Sequence, residues 1–440
     1  MRKLLPKLYL FIILLLISQF ASAQFSVDGH IRTRGEYRDG YRTLAVEDTQ
    51  GLPLVLQRSR LMMSYKEDNL TFKLTGQDAR VWGESEAASP KNTFGIYEAW
   101  VKWLFHPNIG VKVGRQEISY DDQRLLSIRN FGVAGATYDA LLMYYEDDET
   151  KTSVHVGGMI NNDRQSQFLD YYTGNLFKYM AFAWGSFSIN DFMSLNAINV
   201  FDLKQKPSEP EIMYGRNTLG ANAIVAKKGV AGGRMGGYYQ FGNSWFEIWP
   251  LENQKQPISA YSFNASAWAD LSDKFKVTLS FDLYSGNDWS KSSGKFTSFN
   301  RLLASRHGHL GYMDYFTDMQ MGEVAWAGIV DMYLRVDYTF SPKADIQARI
   351  NNFSMEKPYL PPDVGQGFEK VGKRLGNEIS ILLNYKPAKN IAIQTAWMFM
   401  LPTETLKRLQ GENTRLSHFG YISLLFTPNF FTYSKPEIQP

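Results

Sequence analysis

The sequence contains no cysteine, which excludes a disulfide framework, thiolate chemistry and a lipid-anchored N-terminus. It also lacks a basic excess once its first residues are set aside. Arg2, Lys3 and Lys7 precede the apolar run Leu8–Ile17, and Ala21-Ser22-Ala23 has the small-x-small form of a signal-peptidase site. The run is too short for a spanning helix of ~20 residues. The sequence therefore predicts a cleaved signal peptide over residues 1–23 and a single domain over 24–440, outside the cytoplasm. Removing those three cations takes Lys+Arg from 47 to 44, equal to the 44 Asp+Glu. No nucleic-acid partner is expected of such a chain. After residue 23 no apolar stretch reaches ~18 residues, so no membrane helix is predicted.

What the chain has in quantity is aromatic side chains, 15% of its residues, and strand-like alternation. In "FSVDGHIRTRGEYR" the odd positions Phe25, Val27, Gly29, Ile31, Thr33, Gly35 and Tyr37 are apolar or small. The even positions Ser26, Asp28, His30, Arg32, Arg34, Glu36 and Arg38 are almost all charged. The split recurs as Val330, Met332, Leu334, Val336, Tyr338 and Phe340 against Asp331, Arg335, Asp337 and Thr339. It returns once more as Leu375, Ile379, Ile381, Leu383 and Tyr385 against Arg374, Glu378, Ser380 and Asn384. Strands of about ten residues, apolar outward and polar inward, are the signature of an outer-membrane barrel.

Spacing gives a second line of evidence. Short breaks fall at 66–69, 105–108, 146–151, 188–192, 226–229, 271–274, 341–343 and 385–390. They alternate with longer polar segments at 39–53, 81–94, 117–135, 162–177, 204–213, 243–256, 285–327, 355–373 and 402–415. The fold class expected is all-β: a transmembrane antiparallel β-barrel of about 18 strands, with short periplasmic turns and long extracellular loops.

A barrel of ~16 to 18 strands leaves room for an aqueous channel. By parity Arg32, Arg34, Arg58, Arg60, Arg216, Arg234, Arg335 and Arg349 share the polar face, with Asp28, Glu98, Asp282, Asp331 and Glu378 among the acids. An arginine on the lipid side costs roughly 2–4 kcal/mol at the midplane, so these ions are placed in the lumen. One stretch, "VGRQEISYDDQRLLSIRN" at 113–130, crowds paired charge into a few turns of chain and begins the third outer loop.

Here the chain resembles the alginate-export family of outer-membrane porins. The resemblance rests on "GQDARVWGE" at 76–84, "GRQEISYDDQRLLS" at 114–127, "LYSGND" at 283–288, "RHGHLGYMDYF" at 306–316 and "LGNEISILLNYKP" at 375–387, in that order. The resemblance implies an 18-stranded barrel that conducts an acidic polysaccharide through an arginine-rich constriction. Carried over by motif, Asp78, Arg80, Arg115, Gln116, Asp122 and Arg124 lie at or above the narrow part of the pore. Parity opposes part of this. Arg115 shares the register of Val111 and Val113, and Asp78 and Arg80 that of Leu70, Phe72 and Leu74. Either a bulge near Gly76 and Gly114 re-aims them, or they lie above the lipid band. The sequence also runs past Phe426 and Phe430–Phe431 into "TYSKPEIQP", where many outer-membrane barrels end on a phenylalanine.

An enzyme is not expected. His307, His309 and Asp314 share the longest loop, yet metal sites need three or four convergent ligands and no such spacing occurs. Ser305 lacks a nucleophile elbow, and "GVAGGRMGG" at 229–237 lacks the Lys-Ser/Thr of a phosphate loop. No cofactor or metal is expected. The expected partners are outer-membrane lipid, an anionic polysaccharide and periplasmic export or uptake components. The function expected is a passive, charged channel for an alginate-like polysaccharide or oligosaccharide. An uptake or general diffusion porin for other small or anionic solutes is the alternative, and a plugged barrel with adhesive loops is a third.

Overall fold

The computed structural model describes residues 23–85, 91–174, 177–207, 209–246, 254–290, 294–319, 321–360, 369–411 and 413–434. Residues 1–22 of the expected signal peptide and the tail from residue 435 lie outside the described residues. Eighteen antiparallel strands follow one another around a closed barrel. They are β1 (Ala23–Asp39), β2 (Leu52–Glu67), β3 (Leu70–Val81), β4 (Phe94–His106), β5 (Ile109–Gln116) and β6 (Tyr138–Asp147). Next come β7 (Thr152–Ile160), β8 (Tyr179–Asn190), β9 (Met193–Lys206), β10 (Glu209–Lys227), β11 (Ala231–Phe246) and β12 (Gln254–Asp270). The wall is completed by β13 (Phe275–Tyr284), β14 (Ile329–Ser341), β15 (Ala344–Met355), β16 (Arg374–Ala388), β17 (Ile391–Pro402) and β18.

Strand β18 is in two pieces, Ser417–Phe426 and Asn429–Ser434, interrupted at Thr427–Pro428. Both pieces pair with β1, Ile31 opposite Phe426 and Phe25 opposite Tyr433, and this closes the barrel. Proline has no N–H for the ladder, so a break there still lets the strand resume pairing. Among the described residues helix is confined to α1 (Met321–Val324) and α2 (Glu404–Gln410).

The turns on one side hold two to four residues each and fall at all eight expected places. On the other side loop 3 (117–137) and loop 7 (285–328) are the longest connections. One expected loop is overturned. Residues 204–213 are mostly strand, because β9 runs to Lys206 and β10 resumes at Glu209. The polar composition there is that of two strand ends projecting above the lipid, with a register shift between Glu209 and Met213.

Outward positions are apolar, as Val113, Met143, Leu219, Leu334 and Ile381 show by their exposure. Aromatic rings mark both rims: Trp103, Phe105, Phe192 and Phe340 on the turn side, and Trp82 and Phe94 on the loop side. The lumen holds the expected ions, but its loop-side half differs from the aqueous channel expected. Inward Phe182, Val200, Phe353, Met398 and Phe419 form a hydrophobic core with Leu126 of loop 3 and Met313 and Phe316 of loop 7. The loop-side half of the lumen is thus packed, and it is packed because two loops fold into it.

Candidate functional site: an arginine-walled lumen crossed by two loops

Loop 3 turns inward because its apolar residues need cover. Ile118, Tyr120, Leu125 and Leu126 are all buried, and a surface loop would leave them in water. Leu126 forms a parallel bridge with Leu303 of loop 7, and Leu303 N–H donates to Leu125 O at 2.9 Å. Asp121, Gln123 and Arg129 have positive φ, the tight local bends that fold "DDQRLLSIR" back on itself.

Its charges are consumed by the wall. Arg124 Nε donates to Asp122 at 2.7 Å, and its Nη2 pairs with Asp282 of β13 at 2.8 Å. Arg124 also donates to the Tyr284 hydroxyl at 3.0 Å. Arg234 of β11 approaches Asp122 at 3.1 Å, and His309 of loop 7 donates from Nε2 to Asp122 O at 2.8 Å. Asp121 accepts from Trp184 Nε1 at 3.1 Å and Asn196 Nδ2 at 2.6 Å. Burial works to raise the Asp122 carboxyl, but Arg124, His309 and Arg234 hold it below the ordinary range. Burial, reinforced by Arg124, pushes His309 down to about 4.

On the other flank loop 3 lies against β1 and β2. Arg32 donates to Asn130 O at 2.7 Å and Gly132 O at 2.6 Å. Arg34 donates to Phe131 O at 2.8 Å and to Glu36 at 2.6 Å, and Arg60 donates to Ala134 O at 3.0 Å. Arg58 reaches His30 at 3.3 Å and Asn130 O at 3.4 Å. Glu36 serves both Arg34 and Arg38. Arg32 and Arg58 therefore hold backbone carbonyls and the His30 ring, with no carboxylate at ion-pair distance among the described residues.

Loop 7 is anchored by three of the expected acids and bases. Glu378 accepts from Tyr312 N at 2.6 Å, Met313 N at 3.0 Å and Ser380 Oγ at 2.8 Å. Gly311, at φ 86°, is needed there, since a Cβ would collide with the Glu378 carboxylate. Asp331 and Arg349 both bond Asn351, and the Arg349 guanidinium lies 4.4 Å from the Tyr312 ring centroid. His307 stacks on Phe131 with centroids 3.3 Å apart and bonds Asp314 at 3.0 Å.

Between loop 7 and strands β8 to β12 remains a vestibule cavity of about 460 Å³. Arg129, Lys204, Arg216, Arg301 and Arg306 line it, with Asp202 and Asp318. Arg216 pairs with Asp202 at 2.9 Å and Arg306 with Asp318 at 2.6 Å. Arg129 and Arg301 are left with carbonyl acceptors. Lys204 has no hydrogen bond or ion pair among the described residues. Burial, then Arg306 among its neighbours, lowers the Arg129 guanidinium from its ordinary range. Lys204, Arg301 and Arg306 were missed in the sequence: Lys204 of β9 because 204–213 reads as a loop, and Arg301 and Arg306 because strand parity does not mark loop residues folded inside.

Three expected site residues lie elsewhere. Asp78 and Arg80 face outward, in register with Ser59 and Gln57, and pair with each other at 2.7 Å. The bulge near Gly76 exists but belongs to β4, where Tyr97 is the extra residue opposite Thr75–Gly76. It turns Tyr97 inward, against the Arg60 guanidinium at 3.5 Å and bonded to Glu117 at 2.8 Å. Arg115 also faces outward and pairs with Asp139 of β6 at 2.7 Å, because no register shift interrupts the β5–β6 ladder. Of the remaining residues, Gln116 is buried and donates to Ala140 O at 3.0 Å, at the root of loop 3. Glu98 pairs with Lys73 at 2.6 Å, and Arg335 with Asp337 at 2.9 Å, both on the inner wall.

No curated protein matches the sequence. The fold is shared with outer-membrane proteins of known structure. Pseudomonas aeruginosa OccK8 (OprE) has a TM-score of 0.61 at 10% identity, over 92% of this chain and 98% of that one. Acinetobacter baumannii OccAB1 has 0.61 at 12% identity, over 93% and 97%. The Pseudomonas aeruginosa outer membrane protein opdK has 0.61 at 12%, over 93% and 99%. Identity that low carries the fold alone. The chain thus has the architecture of outer-membrane porins, and its residues 23–156, from β1 into β7, match the alginate export family that its motifs resemble.

Proposed function

We propose that this barrel is a passive channel for an anionic polysaccharide or oligosaccharide of the alginate type. The observation that carries the reading is a group of lumenal cations that no carboxylate neutralises at ion-pair distance. Arg32 and Arg58 on the wall, and Arg129, Arg301 and Lys204 in the vestibule, have no carboxylate partner at ion-pair distance among the described residues. Arg32 and Arg129, half-buried and donating to carbonyls, have N–H groups to offer a passing carboxylate, while the buried Arg58 and Arg301 add positive charge to the field around it. A uronate differs from a neutral sugar by that carboxylate. The groups that suggested chemistry in loop 7 are spent on packing: His307 on Phe131 and Asp314, His309 on Asp122. That supports a non-enzymatic role. Periplasmic components would set the direction of transport, since a passive pore has none.

The test is conductance of the purified protein in a planar bilayer, with oligouronates and neutral oligosaccharides of equal length added in turn. Block by the acidic oligomer alone supports the reading, and equal block by both refutes it. The seated loops favour one other reading, uptake of small anionic solutes, because the vestibule of about 460 Å³ suits a short solute. Permeation by monomeric carboxylates without oligomer block would select it.

A further inference from the structure

Within the segment "GQDARVWGE" at 76–84, Gln77 faces the lumen and accepts from Arg60 at 2.7 Å, while the outward side chains of Asp78, Arg80 and Trp82 form a site of their own. We propose that the cluster around Trp82 binds the saccharide headgroup of an outer-leaflet glycolipid. Arg80 holds Asp78 through two bonds, of 2.8 and 2.7 Å, and Thr93 donates to the same carboxylate. Trp82 donates from Nε1 to Gln57 Oε1 at 2.9 Å, while its side chain stays largely open at 57% exposure. The backbone fixes the ring from both sides. Trp82 N–H joins Val55 O at 2.9 Å, and Gly83 takes φ 84° in the turn that follows. Gln57, Asp78, Arg80, Trp82, Gly83 and Ser85 line an open cavity of about 430 Å³, within the size range of ligand sites.

Position selects the membrane as the source. Below the cluster, the outward residues of the same strand are Leu70, Phe72 and the half-buried Leu74. The site therefore lies where hydrocarbon gives way to headgroups on the loop side. Chemistry selects the sugar. A rim tryptophan alone would be an ordinary interfacial ring, which does not account for a bidentate ion pair fixed beside it. The pair is neutral as a unit, so it does not single out a phosphate. Arg80 Nη1, the carboxylate lone pairs, the Gln57 amide and the Ser85 hydroxyl place donors and acceptors around an open aromatic face. Hydroxyls in the plane of a sugar ring and C–H groups on its face meet that arrangement.

The test uses the full-length protein in nanodiscs, with rough lipopolysaccharide, its deacylated core oligosaccharide and phosphatidylglycerol as probes, and native mass spectrometry as readout. Wild type and Trp82→Phe should bind the lipopolysaccharide. Trp82→Ala and Arg80→Gln should bind it about tenfold more weakly, with heat-modifiable mobility and oligouronate block unchanged. Undiminished binding by both of these variants overturns the proposal. So does phosphatidylglycerol binding as tightly as lipopolysaccharide, and so does deacylated oligosaccharide binding as tightly as the intact lipid, which would mark a site for soluble sugar. Arg80→Gln decides the matter if Trp82→Ala fails to fold.

Discussion

Arg124 of loop 3 pairs at 2.8 Å with Asp282 of β13, a strand nearly half-way round the barrel from the β5 end where the loop begins. A loop held at both ends by the wall beside it would hug that wall. This contact makes loop 3 a strut across the lumen instead. Both partners are buried, so the pair is worth most as a positional lock. Removing Arg124 leaves Asp282 charged in a dry site, at a cost of about 3–5 kcal/mol. Removing Asp282 leaves Arg124 paired with Asp122 of its own loop and cuts the tie to the far wall.

Arg124→Gln and Asp282→Asn should therefore each unseat loop 3 and raise single-channel conductance, with the barrel still heat-modifiable. Replacing both partners by leucine should disturb the loop less than either single change, because no buried charge is left alone. Wild-type conductance in both single variants would show that the apolar contacts of Leu125 and Leu126 hold the loop unaided.

The arginine wall makes a separate prediction. Arg32→Gln with Arg58→Gln should shift selectivity toward cations and weaken oligouronate block, since these two guanidinium groups have no carboxylate to neutralise them. Arg115→Gln should leave both properties unchanged, because its side chain lies outside the barrel on Asp139. Reversal potentials in a salt gradient distinguish the two cases.

Much of the fold was legible because a strand records its two environments in alternate residues. Leu334 against Arg335 and Ile381 against Glu378 need only parity to be placed. Where family motif and parity disagreed, parity held: Asp78, Arg80 and Arg115 follow the register of their lipid-facing neighbours and point outward. The packed lumen was recorded as well, in strands apolar on both faces such as "YMAFAW" at 179–184 and "WMFML" at 397–401. A strand apolar on both faces is covered on both, here by lipid and by a folded loop. The arginines of loop 7 had no such record, since a loop has no period.

Parity can be tested at the wall itself. Leu334→Arg and Ile381→Arg face lipid and should impair insertion, by roughly 2–4 kcal/mol if near the midplane. Thr339→Arg, on the inner register close to the turn side, should assemble normally. Ser380 is also lumenal but fully buried and bonded to Glu378 at 2.8 Å, so Ser380→Arg should displace loop 7. Heat-modifiable mobility separates failed insertion from a displaced loop, which conductance then reports.

Acid should release loop 3, and the sign follows from the groups that face His309. Asp122, Arg124, Asp282 and Arg301 all act on it, yet burial and Arg124 dominate and hold it near 4 while the loop is seated. In a released, hydrated loop the same imidazole returns to the ordinary value of 6.5. The released state then binds the extra proton first, so protonation favours release. The seated state has its full stability above the ordinary histidine range and loses it as pH falls from 6.5 to about 4. The loss is at most roughly 3 kcal/mol, from 1.36 kcal/mol per pH unit. Asp122 acts in the same direction at lower pH, because a carboxyl held below its ordinary range gives up its stabilisation as it protonates. Open probability in a bilayer should therefore rise as pH is lowered from neutral toward 4, and His309→Gln should abolish the upper limb of that rise. A wild-type channel indifferent to pH over this interval, or a variant with the same profile, would show that loop 3 is held by contacts that do not titrate.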